Sequence, residues 1–277
     1  MPLKPHLIMR KIYPVILILP ALMTGACKKE IDFEYTDIDP ILVIEGALTM
    51  EGAEVALTFT TPMDEPMDRR HVTDAEVTIE DLASGATIAL TADADGVFRA
   101  AEGGVPGHGY RLTVERTEGV YAAECVMGGE VEIVGMEFGW IKMPYDDVAV
   151  LQVSWLDDSS VADECYWLRL YRNGEAYRWA EVNDLLSDNG VINEVMMTSR
   201  RDLDEEDEAD RLEAGDVVTA TVAPVSRRMH DYLEALAQGN SNGPRLFTGP
   251  LCLGYFLAAP VSTRTVTFDP DSMLRYD

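Results

Sequence analysis

Short runs of alternating apolar and polar residues, each ended by a turn, recur along this chain and constrain its fold more than any other feature. In EVALTFT (54–60), Val55, Leu57 and Phe59 share one side and mostly small or polar residues take the other; AEVTIED (75–81) repeats this with Val77 and Ile79. A period of two puts successive side chains on opposite faces, the mark of a strand buried on one side. ILVIEGAL (41–48), ATIAL (86–90), GVFRA (96–100), YRLTVE (110–115) and YAAECVM (121–127) complete a set of seven. Ser84-Gly85, Asp95-Gly96 and Val105-Pro106-Gly107 separate them and supply the backbone angles that tight turns require. Seven short strands at this spacing predict an immunoglobulin-like β-sandwich over residues 39–128.

Gly128-Gly129 and a polar stretch near 143–147 bracket a boundary, so 129–277 is expected to form a second, larger β-rich domain. VAVLQVSW (148–155), DVVTATVAPV (216–225) and STRTVTF (262–268) read as strands there. ECYWLRLYRNGEAYRWA (164–180) reads as a hairpin, because Asn-Gly suits the two positive φ angles of a type I′ turn. One helix is expected at 226–238. Ser226 can cap it, Met229, Tyr232, Leu233 and Leu236 form an apolar face suited to packing on a sheet, and Gly239 can end it. No internal repeat is visible. The predicted class is all-β, a sandwich followed by a larger β domain carrying one helix.

The 277 residues hold 49 Asp plus Glu against 22 Lys plus Arg, a formal charge of −27. Such a field repels phosphate backbones, which excludes nucleic acid as a partner, and opposes docking on anionic membranes through basic patches. The N-terminus differs in character. Residues 1–26 contain Lys4, Arg10 and Lys11, no acid, and the apolar run Ile12–Met23. A basic start and a short apolar stretch make a secretory signal, too short for a comfortable membrane span. Gly25-Ala26 then precede Cys27, the arrangement of a bacterial lipobox with Thr24 in place of the usual Leu. Cleavage before Cys27 and acylation of its thiol are expected, with 28–38 as a polar tether.

Candidate chemistry is sparse. Three cysteines remain, Cys125, Cys165 and Cys252; an odd number allows at most one disulfide, and with no CxxC and no His nearby in sequence they read as buried structural thiols rather than zinc ligands. GNSNG (239–243) matches G-x-S-x-G with Ser241 as nucleophile and His71, His108 or His230 as base. That chemistry needs a strand-to-helix elbow, whereas here a helix precedes the match, so a helix-exit loop is expected. Asp202, Asp204, Glu206, Glu208 and Glu213 fall at positions 1, 3, 5, 7 and 12 of a calcium loop. Position 6 is Asp207 where such a loop turns on Gly, so a solvated acidic loop is expected, with those five acids as the calcium candidate. In strand 165–171, parity puts Tyr166, Leu168 and Leu170 on one face, read as core. Cys165, Trp167, Arg169 and Tyr171 take the other, where Trp167 and Tyr171, flanking Arg169, either line a ligand cleft or pack under the helix or a loop while Arg169 reaches solvent. Asp271-Ser272-Met273 resembles the short acceptor of Bacteroidota protein O-glycosylation, with Ser272 as the modified residue.

Taken in order, LVIEG (42–46), VTDAEVTIED (72–81), GVFRA (96–100), GVPGHGYRLTVE (104–115), GDVVTATVAPVSRRMHDYLEAL (215–236) and LGYFLAAPVSTRTV (253–266), behind a lipobox-like start, resemble the Bacteroidota lipoprotein family known as domain of unknown function 4249. The resemblance covers about residues 27–268. It implies an outer-membrane lipoprotein, of a kind often encoded beside TonB-dependent receptors, and supplies no catalytic residues and no cofactor. KKEID after Cys27 also resembles the acid-containing signals that send lipoproteins of that phylum to the cell exterior. The leading expectation is a non-catalytic binding accessory of a TonB-dependent uptake system, its ligand unassigned. The alternatives are a hydrolase using a carboxylate pair, and a structural or adhesive envelope protein.

Overall fold

The computed structural model describes residues 39–61, 71–142, 147–157, 163–187, 189–200, 211–240 and 242–276. Seven strands come first: β1 (Leu42–Leu48), β2 (Ala53–Phe59), β3 (Glu76–Asp81), β4 (Thr87–Ala92), β5 (Val97–Ala100), β6 (Gly109–Arg116) and β7 (Gly119–Val126). These are the seven read from the alternation, with ends moved by a residue or two. β1, β2 and β5 are hydrogen-bonded neighbours, as are β4, β3, β6 and β7. β4 joins the two groups: it pairs with β3 through Thr87–Leu90 and with β5 at Thr91 and Ala92. The alternating apolar sides of both groups meet in one core, with Ile44, Val55 and Leu57 from one group and Ile79, Leu112 and Val114 from the other, all fully buried. This is the predicted immunoglobulin-like sandwich.

The second half contains β8 (Ile133–Lys142), β9 (Asp147–Leu156), β10 (Cys165–Arg172), β11 (Glu175–Asn183), β12 (Val191–Arg200), β13 (Val217–Val225), α1 (Arg227–Ala237), β14 (Cys252–Ala258), β15 (Ser262–Thr267) and β16 (Leu274–Tyr276). Asn173 and Gly174 have φ of 52° and 92°, so the β10–β11 hairpin turns as its Asn-Gly pair requires. β12-β9-β8-β16 form one sheet and β11-β10-β13-β15 the other. Trp155, Leu151, Tyr166, Leu168, Leu170, Val218 and Val222 fill the space between them. As parity predicts, Tyr166, Leu168 and Leu170 are core.

The two halves repeat one topology, which the sequence does not reveal. β8, β9 and β12 take the places of β1, β2 and β5; β11, β10, β13 and β15 take those of β4, β3, β6 and β7. Each first strand also carries an added parallel partner, β14 on β1 and β16 on β8. The largest departure lies between β13 and β15, where the chain leaves to form α1 and β14; in addition, β4 bridges to β5 in the first copy whereas the second forms two separate sheets. The expected boundary at 128–129 lies in the link between β7 and β8, but β14, from residues 252–258, belongs to the first sheet.

β14 runs beside β1 over its whole length, from Leu42↔Cys252 to Leu48↔Ala258. Its other flank is tied to β7. Ahead of β14, Thr248 exchanges backbone hydrogen bonds with Ala122; at its end, the Ala258 N–H donates to the Cys125 thiol at 3.3 Å. Gly254 is required here: its φ is +106°, and a Cβ would lie 2.0 Å from the Ile44 carbonyl oxygen. A third core forms where the excursion meets the second sandwich. Met229 and Leu233 of α1 and Leu257 of β14 pack on Trp167 and Ala223, on the outer face of β10 and β13. Residues 39–277 form one compact unit.

Ser226 caps α1, its hydroxyl accepting from the Met229 N–H, and Gly239 follows the helix at φ +61°. The buried stripe is rotated from the expected one: Met229, His230 and Leu233 are buried, whereas Leu236 is 56% exposed. No helix among the described residues is long and apolar enough to cross a membrane.

Candidate binding site

The third core leaves a chamber of about 360 Å³ at the junction of the sandwiches. Its floor is the outer face of β10 and β11, bearing Trp167, Arg169, Tyr171 and Trp179; β1 and β14 supply Glu45 and Tyr255; α1 roofs it with Tyr232, Leu233 and Leu236. The aromatic face of β10 packs under the helix, as one of the two sequence readings expects, with Arg169 laid on the Trp167 ring rather than extended into solvent. Trp167 packs under the helix at 7% exposure and also walls a cleft.

The rings are held by one another. Trp167 meets Trp179 edge to face at 6.4 Å and meets Tyr255 at 5.2 Å, the second contact crossing from one sandwich to the other. The Arg169 guanidinium lies over the Trp167 ring at 4.5 Å, a placement that holds a cation on an apolar surface. Burial pushes the Tyr255 phenol well above its usual range and raises that of Tyr232, so both stay protonated and able to donate. Two donors on the floor, Trp167 Nε1 and Arg169 Nε, are buried and have no hydrogen-bond partner within the protein. Nearly all buried polar groups in folded proteins find partners, so two unmatched donors on one aromatic face are exceptional. A second cavity of about 520 Å³ shares Glu45, Arg169 and Tyr255 with the chamber and continues over the small residues Ala47 and Ala56 and the charged Glu54 and Arg99.

The remaining candidates are not drawn together. Cys125, Cys165 and Cys252 are unpaired, and burial raises all three thiols above their ordinary values, which keeps them protonated and poorly nucleophilic. His108 Nδ1 sits 2.9 Å from Asp81, but the Ser84 hydroxyl donates to that same carboxylate, so the serine meets the acid rather than the imidazole and the three do not form a relay. Burial, with repulsion from Glu181, raises the Glu194 carboxyl, yet neither acid lines the chamber. Cys27, Ser241, Asp202, Asp204, Glu206 and Glu208 lie outside the described residues. Glu213 is described; its backbone N–H donates to Asp216 at 2.7 Å. Ser272 is exposed in a turn, its hydroxyl donating to the Asp269 carbonyl. Among the described residues, one group of ligating side chains converges closely: His230, Asp231 and Glu234 on α1.

No family model matches the chain, and no curated protein matches it. Among solved structures it is similar to a segment of two fibronectin type-III domains from chicken tenascin, at 15% identity over 68% of this chain and 92% of that one, with a TM-score of 0.21. It is similar also to the first three fibronectin domains of chicken CNTN1, at 13% identity over 83% of this chain and 67% of that one, with a TM-score of 0.24. At such scores the fold assignment rests on the strand order itself: the described residues are mostly β, two sandwiches of one topology joined by an exchanged strand and one α-helix.

Proposed function

We propose that this chain is a lipid-anchored envelope protein that binds a ligand without transforming it, held at the outer membrane through Cys27, facing the cell exterior, and serving a TonB-dependent uptake system. The observation that carries the binding role is the pair of unmatched buried donors, Trp167 Nε1 and Arg169 Nε, on the floor of an aromatic chamber. Aromatic walls bury apolar ligand faces while a few fixed donors set orientation, the usual make-up of a small-molecule site. The lipobox-like start and the family resemblance support the location.

Titration with neutral oligosaccharides and short peptides, read by tryptophan fluorescence, tests the binding role. Saturable quenching is expected for at least one class and its loss in Arg169→Met; a flat response across both classes counts against the chamber as a binding site. Mass spectrometry of the mature N-terminus tests the anchor: an acylated Cys27 is expected, and an unmodified terminus at Lys28 or Glu30 refutes it. Cys27→Ser is expected to release the protein from the membrane fraction or block its processing. Affinity purification in mild detergent tests the partnership, which fails if repeated trials recover no outer-membrane receptor.

A further inference from the structure

On α1, His230 faces inward at 5% exposure while Asp231 and Glu234 face solvent. One residue and one turn separate them from the histidine, so all three lie on adjoining strips of the helix surface. A ligating atom from each lies within 4.8 Å of the other two.

Two observations distinguish this trio from ordinary surface acids. His230 Nδ1 is buried and has no hydrogen-bond partner, although buried ring nitrogens ordinarily find one. Its nearest carboxylate oxygen, Asp231 Oδ1, is 3.8 Å away. That is too long for a hydrogen bond. It is a natural separation for two atoms bound to one ion, since bonds of roughly 2.0–2.2 Å place neighbouring ligands about 3–4 Å apart. A Glu234 carboxylate oxygen, one turn on, lies within 4.8 Å of the other two ligating atoms, so a small rotation of this exposed side chain completes the set.

We propose that His230, Asp231 and Glu234 bind a divalent transition-metal ion of the zinc, cobalt or nickel type. An imidazole with two carboxylates suits such ions better than magnesium or calcium, which favour all-oxygen shells. The exposed side of the trio leaves further coordination positions to water. Two costs oppose binding. Arg227 pairs with Asp231 at 3.3 Å and must yield that contact, and Gln238 donates to Glu234 at 3.4 Å. The strongly negative chain offsets them by concentrating cations near its surface. A bound ion would staple two turns of the helix that roofs the chamber.

Calorimetric titration of the tag-free, full-length lipoprotein in detergent with Zn2+, together with Co2+ absorption, tests this site. Saturable binding of one ion is expected, with a Co2+ spectrum showing nitrogen and oxygen rather than thiolate ligation. His230→Gln and Glu234→Gln should each weaken binding at least about tenfold. Glu234 is exposed, so its variant keeps the proposal testable if His230→Gln fails to fold. Replacing Cys125, Cys165 and Cys252 with Ser should leave affinity unchanged. The proposal is overturned by the absence of saturable binding below about millimolar metal, by binding that survives in Glu234→Gln, or by binding lost only with the cysteines.

Discussion

Replacing Gly254 with Ala tests the strand exchange most directly. The new Cβ would sit 2.0 Å from the Ile44 carbonyl oxygen, 2.7 Å from its carbon and 2.9 Å from its nitrogen. All three are backbone atoms of β1, so no side chain can swing away. Restoring ordinary contact requires β14 to move roughly 1 Å from β1, since non-bonded heavy atoms settle near 3.5 Å and tolerate little below 3. The φ of +106° adds about 1–2 kcal/mol for an L side chain. Stretching the two nearest ladder hydrogen bonds adds about 1 kcal/mol each. The total is about 3–4 kcal/mol, or roughly 10 °C in melting temperature for a unit of this size. Thermal and urea unfolding followed by circular dichroism would measure it. Gly129→Ala, at a position with nothing within 4 Å, is the control and should change little. If Gly254→Ala melts within about 2 °C of the wild type, β14 does not lie against β1 in the described register.

Leu233→Ala removes a side chain 1% exposed from the core between helix and sandwich, and should cost about 2–4 kcal/mol in denaturant unfolding. Gly174→Ala, at φ +92° with open space around it, should cost only about 1 kcal/mol, because backbone strain is then the sole effect. Asp216 accepts from the Glu213 N–H, the Asn173 amide and Arg172; Asp216→Ala strands those donors and should cost about 2–3 kcal/mol. The pH response follows from two carboxyls. The His108 contact is the largest influence on Asp81, and with Ser84 it holds that acid at about 2, below its ordinary 3.8. Burial alone would raise Asp216, but its hydrogen bonds and Arg172 outweigh that and lower it. A lowered folded pKa stabilises the fold above the unfolded value and loses that contribution as pH falls through the folded one. Acid unfolding followed by fluorescence should therefore steepen below about pH 4, and the Asp81→Asn, Asp216→Asn double variant should flatten it.

What the sequence discloses is what local geometry controls. The seven strands of the first sandwich alternate cleanly because each buries one face only, and the Asn173-Gly174 turn is read correctly because its backbone angles belong to those two residues. β8 is hidden because IVGMEFGWIK places glycines and a glutamate among its apolar residues. β12 is hidden because VINEVMMTSR is an edge strand bearing exposed Val195 and Met197. β14 is obscured for another reason: CLGYFLA is apolar on both faces, which fits a strand or a buried helix equally well, and its partner lies more than 200 residues earlier. The same distance concealed half the chamber. Parity placed Trp167, Arg169 and Tyr171 on one face, but nothing local announces that Glu45 and Tyr255 stand opposite. Of the helix face read from the sequence, Met229, Tyr232 and Leu233 pack on the third core and Leu236 does not; buried His230 is missed because it counts as polar, while its burial is set by the fold around it.

The placement of β14 imposes an order on assembly. A chain that emerges N-terminus first presents β1 with its outer backbone edge open until Cys252–Ala258 has been made. Every other neighbour in that sandwich is available by residue 126. Open edges of this kind recruit strands from other molecules, and pairings so distant in sequence form slowly. That edge of the first sandwich thus stays unpaired until late in synthesis. Truncation anywhere between 127 and 251 would leave the seven strands without the buried Cys252, Phe256 and Ala258 of β14 and with one sticky flank, prone to self-association as well as unfolding.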